Sequence, residues 1–457
     1  MKKYAIVLAA GKGTRMRSTQ PKVLHPVLGK PMINRVLHAI DQAQIEEQYV
    51  VIGHGAEAVK KALADSVKIV LQKEQLGTGH AVRTALEALT QDVTDTAHAT
   101  VLVTCGDTPL LRAESLSEMV AQHETQQNVV TVMTTEVAQP TGYGRILHDG
   151  PRIKAIVEEK DADAEIKQIR EINVGTYCFD LAFLTQQIGA LDTNNAQGEF
   201  YLTDLLKLAY RAGKPTAAYL LADPDESLGV NNRVQLARAE KLFRARVNEY
   251  WMMQGVSMEN PDTISIEDEV VLEPDVVLEG DVHLFGKTLI KTGAVIESGS
   301  RINDSTIGEG VVVRQSVIKD SVVGAHTTIG PFAQLRPGNT IGEHVKIGNF
   351  VEIKNSTIAN ESKVSHHTYI GDTDMGARVN VGCGTITCNY DGKKKHRTII
   401  GDDVFVGSNT NLIAPIDIGD GVVIGAGSTL SKDVVEHALA VTRPSLIIRE
   451  NWTKSEK

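Results

Sequence analysis

The chain is short of cysteine and short of positive charge. Its 457 residues hold four cysteines, Cys105, Cys178, Cys383 and Cys388, and no two form a CxxC pair. That spacing argues against a disulfide framework or a cysteine-based zinc site and fits reduced thiols in a cytosolic protein. Lys and Arg number 47 against 57 Asp and Glu, a formal net charge of −10. General nucleic-acid binding wants a basic surface and is not expected. No apolar run is long enough to span a membrane. The opening MKKYAIVLAAGKG has the outline of a secretory leader, with two lysines and then an apolar run. That run covers only residues 4–10 and flows into a glycine-rich basic loop, so a leader is not expected and a cytoplasmic protein is.

What the chain has in plenty is a repeat. From about Ile264 to Leu430 a branched or aliphatic residue returns every six positions. Two registers are clean: Val323, Ile329, Leu335, Ile341, Ile347, Ile353, and later Ile400, Val406, Leu412, Ile418, Ile424, Leu430. Six fits neither a helix of 3.6 residues per turn nor plain strand alternation. It fits a short strand and a tight turn, with one apolar residue per side pointing inward. Three sides make one coil of a triangular parallel β-helix, and stacked coils share one core. Glycine follows many of the apolar residues, as at Gly324, Gly330, Gly342, Gly348, Gly401, Gly407, Gly419 and Gly425. Its tolerance of positive φ suits the turns. The register slips between Ile353 and Ile358 and between Ile370 and Met375, and the tract 387–396 (TCNYDGKKKH) interrupts it. A loop thrown off a solenoid usually lies on its binding face.

The length suggests two or more domains, and the first half reads as an open α/β sheet. Residues 4–10 form a buried parallel strand, and Gly11-Lys12-Gly13-Thr14-Arg15-Met16 a glycine-rich turn with cations. A helix is expected over 32–43. Small residues let backbone N–H groups approach a phosphate, and basic side chains neutralise it. The loop is neither a Walker A loop nor GxGxxG, since Met16 holds the third glycine position. Strands are expected at 49–52, 68–71 and 100–103, with helices over 56–65 and 81–89. The third of these strands runs into Cys105-Gly106-Asp107-Thr108-Pro109, which puts a carboxylate just past a strand's C-terminal end, where such sheets bind ligands. Asp107 could hold Mg²⁺ by that ion's preference for hard oxygen, or simply be a turn Asp before proline. Residues 231–254 read as an amphipathic connecting helix, capped by Asn231 or Asn232 and ended by Gly255.

The run Leu8-Ala9-Ala10-Gly11-Lys12-Gly13-Thr14-Arg15-Met16, then Pro21-Lys22, Gln72, Gly77-Thr78 and Cys105-Gly106-Asp107, resembles the sugar-1-phosphate nucleotidylyltransferases. More narrowly, Pro140-Thr141-Gly142-Tyr143-Gly144-Arg145, Ile156-Val157-Glu158, Glu171-Ile172-Asn173-Val174-Gly175, Asn194-Asn195-Ala196-Gln197-Gly198-Glu199 and Gly229-Val230-Asn231-Asn232-Arg233 resemble their bifunctional bacterial branch. Those enzymes are N-acetylglucosamine-1-phosphate uridylyltransferases and glucosamine-1-phosphate N-acetyltransferases in one chain. The resemblance covers nearly the whole sequence. It implies an α/β Rossmann-like nucleotidyltransferase domain followed by a left-handed parallel β-helix. The expected divisions are 1–230 for uridylyl transfer, 231–254 for the linker helix and 255–457 for acetyl transfer.

For the first domain the resemblance implies that Leu8, Ala9, Ala10, Gly11 and Lys22 hold the UTP phosphates, aided by Arg15. Gln72, Gly77 and Thr78 would read uracil, with Cys105 and Gly106 lining the site. Gly144, Glu158 and Asn173 would hold the N-acetylglucosamine portion, and Asp107 and Asn231 would ligate Mg²⁺. The family commonly has an aromatic residue where Cys105 stands.

For the β-helix, fold alone leaves a scaffold, a metal enzyme and an acyltransferase open. A zinc enzyme of this fold needs three histidines across a subunit interface, and His366 and His367 do cluster with His326, His344 and His396 in the sequence. Arg336 and Lys354 are eighteen residues apart, three hexads, so they should stack one coil apart as a phosphate clamp. Histidine is the side chain whose charge changes near neutrality, which makes His366 a candidate general base. The resemblance puts Tyr369 and Asn380 on the sugar phosphate. It puts Cys383, Asn389, Tyr390, Ser408, Ala426 and Arg443 on acetyl-CoA. It favours His366 over His367 as the base, and usually has Ala where Cys383 lies. The run Lys393-Lys394-Lys395 with Arg397 is expected on the CoA phosphates. Together these imply synthesis of UDP-N-acetylglucosamine for cell-wall polysaccharide from glucosamine-1-phosphate, acetyl-CoA and UTP, in a homotrimer. The rivals are a single-activity sugar-1-phosphate nucleotidylyltransferase with a scaffold or regulatory β-helix, and a solenoid that serves only as an interaction module.

Overall fold

The computed structural model describes residues 2–45, 47–93 and 99–453. Two apolar patterns build two units, Met1–Phe243 and Arg244–Lys457. In the first, β1 (Lys2–Ala9) is apolar on both faces. Tyr4 and Ile6 enter one core; Ala5, Val7 and Ala9 enter the other. This is what a parallel strand covered on both sides requires. Next come a small hairpin, β2 (Pro26–Val27) and β3 (Lys30–Pro31), and helix α1 (Met32–Gln42). Then β4 (Glu47–Ile52), α2 (Ala56–Ala62), β5 (Lys68–Leu71), α3 (Thr78–Asp92) and β6 (Ala99–Cys105) alternate, followed by α4 (Ala113–Thr125) and β7 (Val130–Glu136). The ribbon β8 (Arg145–Asp149) and β9 (Arg152–Val157) leads to β10 (Glu171–Asp180), α5 (Leu181–Gln187), α6 (Asp204–Arg211) and β11 (Thr216–Leu220).

The sheet order is β11-β7-β10-β6-β1-β4-β5. β1, β4, β5 and β6 are parallel, and β10 runs antiparallel between β6 and β7. The helix expected over 32–43 is α1 (Met32–Gln42), and it does not follow the glycine loop directly. Short 3-10 turns at Thr14–Met16 and Lys22–Leu24 and the hairpin intervene before α1. Pro21 and Pro26 are the reason, since neither can donate within a helix. The loop itself, and not the N-terminus of α1, therefore follows the end of β1. Helix α7 (Arg233–Met253) starts two residues later than expected. Asn232 caps it, accepting from Gln235 N at 2.9 Å, and Gly255 follows its end at φ +94°.

In the second unit the six-residue period becomes a left-handed parallel β-helix. Ile329 pairs with Ile347, Leu335 with Ile353, Ile341 with Ile358 and Ile347 with Val364. These side chains are almost fully buried in one continuous core. Met375 pairs with Ile400 and Val381 with Val406, so the interrupting tract adds seven residues to an eighteen-residue coil and leaves the core column intact. A buried polar ladder runs beside it. Ser321 N donates to Ser305 Oγ (3.1 Å), Asn339 Nδ2 to Ser321 Oγ (3.2 Å), Ser356 N to Asn339 Oδ1 (3.2 Å) and Thr373 N to Ser356 Oγ (3.1 Å). Each coil satisfies the polar group of the next, which removes the cost of burying it.

The turn chemistry differs from expectation. Among the eight glycines that follow core residues, only Gly330 has positive φ. The left-handed corners are held mostly by other residues: Phe332, Phe350 and His367 in one column, His326, His344, Glu361 and Arg378 in another, Asp304, Asp320, Asn355 and Asp372 in a third. The glycines answer a different demand, the close approach of the next coil's backbone. A Cβ on Gly348 would lie 1.9 Å from Ser365 O. Gly348→Ala is therefore expected to cost about 3 kcal/mol through overpacking, seen as a lower melting midpoint for the β-helix. Gly189→Ala, with no atom within 4 Å of the added methyl, should change stability by under about 1 kcal/mol.

Candidate functional sites

At the C-terminal ends of β1, β5 and β6 lies a cleft of about 590 Å³. Leu8, Ala9, Ala10, Gly11, Lys22, Gln72, Gly77, Thr78, Cys105 and Asp107 all line it. Lys12, a cation of the glycine-rich turn, lines it too, as do Gln75 and Glu199, to which the motifs assign no role. The loop after β5 is fixed at both ends. Gln72 N donates to Ile52 O (2.8 Å), and Gly79 N to Phe200 O (2.8 Å). Gln72 Nε2 also meets His80 Nδ1 at 2.9 Å, which holds the amide in place.

Lys22 is the centre of the charge arrangement. Its ammonium bonds the Asp107 carboxylate and lies 3.1 Å from Asn231 Oδ1. Arg15 Nη2 donates to the same Asn231 oxygen at 2.9 Å. Asn231 reaches this point because Val230 N donates to Asp107 O (2.9 Å), tying the approach to α7 to the loop after β6. Cys105 is not poised as a thiolate. Burial, and then the Asp107 charge, push its thiol up to about 12.

Gly144, Glu158 and Asn173 meet at the edge of β8, β9 and β10. Asn173 N donates to Gly144 O (2.9 Å), and a Cβ on Gly144 would lie 3.3 Å from Glu158 Oε1 and 3.5 Å from Asn173 Cβ. Asn173 Nδ2 donates to Tyr177 OH (2.7 Å), and Gly175 N to Asn173 Oδ1 (3.0 Å). Gly175 in turn adjoins Cys105, its carbonyl 4.0 Å from the sulfur. Burial raises the Glu158 carboxyl above its ordinary range, with Asp161 and Asp204 adding to it.

In the β-helix, Arg336 and Lys354 do stack one coil apart, since Leu335 pairs with Ile353 beside them. Arg336 is also paired with Glu352 at 2.9 Å. The ammonium of Lys395, one of the cations expected on CoA, stands beside that of Lys354. The repulsion, followed by burial, lowers the Lys354 pKa. Arg397 is likewise engaged elsewhere, forked onto Asp374. The two histidines separate by geometry. His366 pairs with Asn349 one coil earlier, Nδ1 to Oδ1 at 3.1 Å. His367 occupies a left-handed corner at φ +43°, against the Phe350 ring. Asn349 was not singled out in the sequence, although it lies seventeen residues, one coil, before His366. His326 and His344 form a separate stack at 5.1 Å, and His396 pairs with Asp391 at 2.7 Å.

Tyr369 and Asn380 are on different sides of the coil. Tyr369 pairs with Glu352 and Ile386, whereas Asn380 pairs with Lys363 and Phe405. Cys383, Ser408 and Ala426 form a column two places beyond Val381, Val406 and Ile424, and the Arg443 guanidinium bonds Ala426 O. Asn389 is buried at the root of the extruded loop, while Tyr390 is exposed on it.

A MobA-like NTP transferase domain model matches residues 5–172, and a bacterial transferase hexapeptide model of six repeats matches 320–355 and 397–432. The unmatched stretch between the last two holds the uneven coils and the extruded loop. The bifunctional protein GlmU of Heliobacterium modesticaldum is 49% identical over 99% of this chain and 98% of its own. That of Streptococcus mutans is 48% identical over 100% and 98%, and that of Halalkalibacterium halodurans 46% over 98% and 98%. Likeness at this level over both units together leaves one placement: the chain belongs to the family of bifunctional GlmU proteins.

Proposed function

We propose that this chain makes UDP-N-acetylglucosamine in two steps, acetylating glucosamine-1-phosphate in the β-helix (residues 255–457) and uridylylating the product in the α/β unit (residues 1–230). The observation that carries it is the pairing of two separate, differently built sites in one chain. One is a cleft of about 590 Å³ lined by Lys22 and Asp107, with Asn231 bonded to Lys22; the other is a histidine oriented by an amide in a β-helix that also brings Lys354 and Lys395 together.

In the first step the substrate amine attacks the thioester carbonyl, the carbon–sulfur bond breaks and the CoA thiol leaves. The Asn349 carbonyl can only accept, so His366 donates its Nδ1–H and presents Nε2 as the base that takes the amine proton. Arg336, Lys354 and Lys395 hold the sugar phosphate. Tyr369 and Asn380 also serve that substrate, and they stand on different sides of one coil. One substrate reaches both when a second copy supplies one of them, which supports a homotrimer with acetylation sites between subunits. Cys383, Ser408, Ala426 and Arg443 line the acetyl-CoA path, with Asn389 and Tyr390 on the loop.

In the second step an oxygen of the sugar phosphate attacks the α-phosphorus of UTP, and pyrophosphate leaves. Lys22 and Arg15 neutralise the phosphates, Gln72 with Gly77 and Thr78 reads the base, and Gly144, Glu158 and Asn173 hold the sugar. Asp107 and Asn231 suit Mg²⁺, because both turn hard oxygens onto one cation, the Lys22 ammonium. Bound there, the ion would supply charge neutralisation at the reacting phosphates. A cytoplasmic location fits soluble phosphate and CoA substrates.

His366→Ala should lower acetyl transfer by about 10²–10⁴-fold, scored as free CoA thiol, and leave pyrophosphate release unchanged. Asp107→Ala should do the reverse. Loss of both activities by either change in a folded protein would refute the two-site assignment. Removal of divalent cations with a chelator should abolish uridylyl transfer and spare acetyl transfer, and added Mg²⁺ should restore the former. Uridylyl transfer that persists without divalent cation would remove Asp107 and Asn231 as metal ligands.

A further inference from the structure

We infer that Asp372 is the positioning residue of the acetylation site, holding the extruded loop and its cation in register with the coil below. The inference rests on the acetyltransferase assignment above.

Asp372 is buried at a left-handed corner with φ +50°. Both carboxylate oxygens are committed. One accepts from Asn355 Nδ2 at 2.5 Å, one coil earlier, and the other from Asn389 Nδ2, the residue at the loop's root. Its backbone is committed too: its N donates to Lys354 O (3.0 Å), and its O accepts from Thr398 N (3.1 Å), where the chain returns from the loop. One residue thus joins the coil that carries Lys354, the loop's departure and the loop's return. The loop is a closed piece behind it. His396 N donates to Asn389 O (2.8 Å), Tyr390 and Lys395 form a bridge, and Asp391 accepts from the backbones of Lys393 and Lys394 at 2.7 Å each. Moving Asn389 would therefore move Lys395.

The carboxylate also faces charge. Lys354, Lys395 and Arg397 lie within its influence, while Arg336 is countered by Glu352 and Arg397 by Asp374. Lys395 and Arg336 depress the Lys354 pKa, and Asp372 opposes that depression. With the carboxylate removed, Lys354 would lose its proton at lower pH. Phosphate binding, which needs the ammonium, would then fail earlier on the alkaline side.

Asp372→Asn removes the charge and sets an NH₂ against one of two other NH₂ groups. We expect the KM for glucosamine-1-phosphate to rise at least tenfold, with the alkaline limb of kcat/KM moved to lower pH and uridylyl transfer unchanged. The exchange Asn355→Asp with Asp372→Asn restores complementary pairing. Asn at 372 would then donate to Asp at 355 and still accept from Asn389, and left-handed φ suits both residue types. The doubly exchanged protein should bring the KM to within about threefold of the wild type. A folded Asp372→Asn protein with wild-type KM and pH profile would overturn the inference. So would a folded double exchange whose KM stays tenfold high, and that arm decides alone if the single variant does not fold. Wild-type protein that releases no thiol from acetyl-CoA and glucosamine-1-phosphate would instead overturn the assignment beneath it.

Discussion

Parallel β-pairing is the constraint on which both units depend. Parallel strands cannot be joined by a tight turn, so each pair needs a crossover, and the crossover decides where chemistry can sit. In the α/β unit the crossovers are helices. Strands β1, β4, β5 and β6 therefore end on one edge, where the loops after β1, β5 and β6 converge on Lys22, Gln72 and Asp107. In the β-helix the crossover is the rest of the coil. Away from the first coil and the extruded loop, each paired residue there stands over one sixteen to eighteen places earlier, and side chains act in columns. Asn349 under His366, Arg336 under Lys354 and Asn355 under Asp372 are three such columns.

The column rule also explains how seven extra residues enter without breaking the core. The inner positions Met375 and Ile400 still pair, so the hydrophobic column runs through the insertion and the surplus chain is expelled outward. Expelled chain is poorly supported unless something ties it back. The Asn389–Asp372 bond and the Asp391 clip do this, one at the root and one at the tip. A solenoid buys a precise loop position by repeating its backbone and spending polar side chains at the corners.

The architecture was legible in the sequence wherever burial alone decides the residue. The inward column from Val323 to Ile353 and the apolar β1 both follow from exclusion of water. The glycines were legible as features but not in their cause. Gly324 and Gly348 look like turn residues, yet they are demanded by the backbone of the next coil, a contact no local pattern contains. The corners taken by Phe332 and Phe350 were hidden for the converse reason, since a bulky aromatic does not look like a positive-φ residue in isolation. Of the candidate sites, Lys22 with Asp107 and Asn231, and Arg336 with Lys354, are neighbours as the motifs and the eighteen-residue spacing imply. The nearness of Lys395 to Lys354 was not legible, because a charge run carries no direction and only the closed loop sets which neighbour each ammonium meets.

The two sites hold their cations in opposite ways. Asp107 bonds the Lys22 ammonium directly, so that pair must exchange partners when a phosphate and a metal arrive. A half-buried, exchangeable carboxylate suits a residue whose oxygen is to become a ligand. Asp372 touches no cation. Two amides occupy its oxygens, and its charge acts on Lys354 through space. A locked carboxylate cannot be drawn onto the lysines, so Lys354 and Lys395 remain open to an incoming phosphate while their mutual repulsion is reduced. The repulsion itself favours the substrate, because a dianionic phosphate placed between crowded ammonium groups relieves it. In the first site the polar partners are ready to let go; in the second they are arranged so that they never have to.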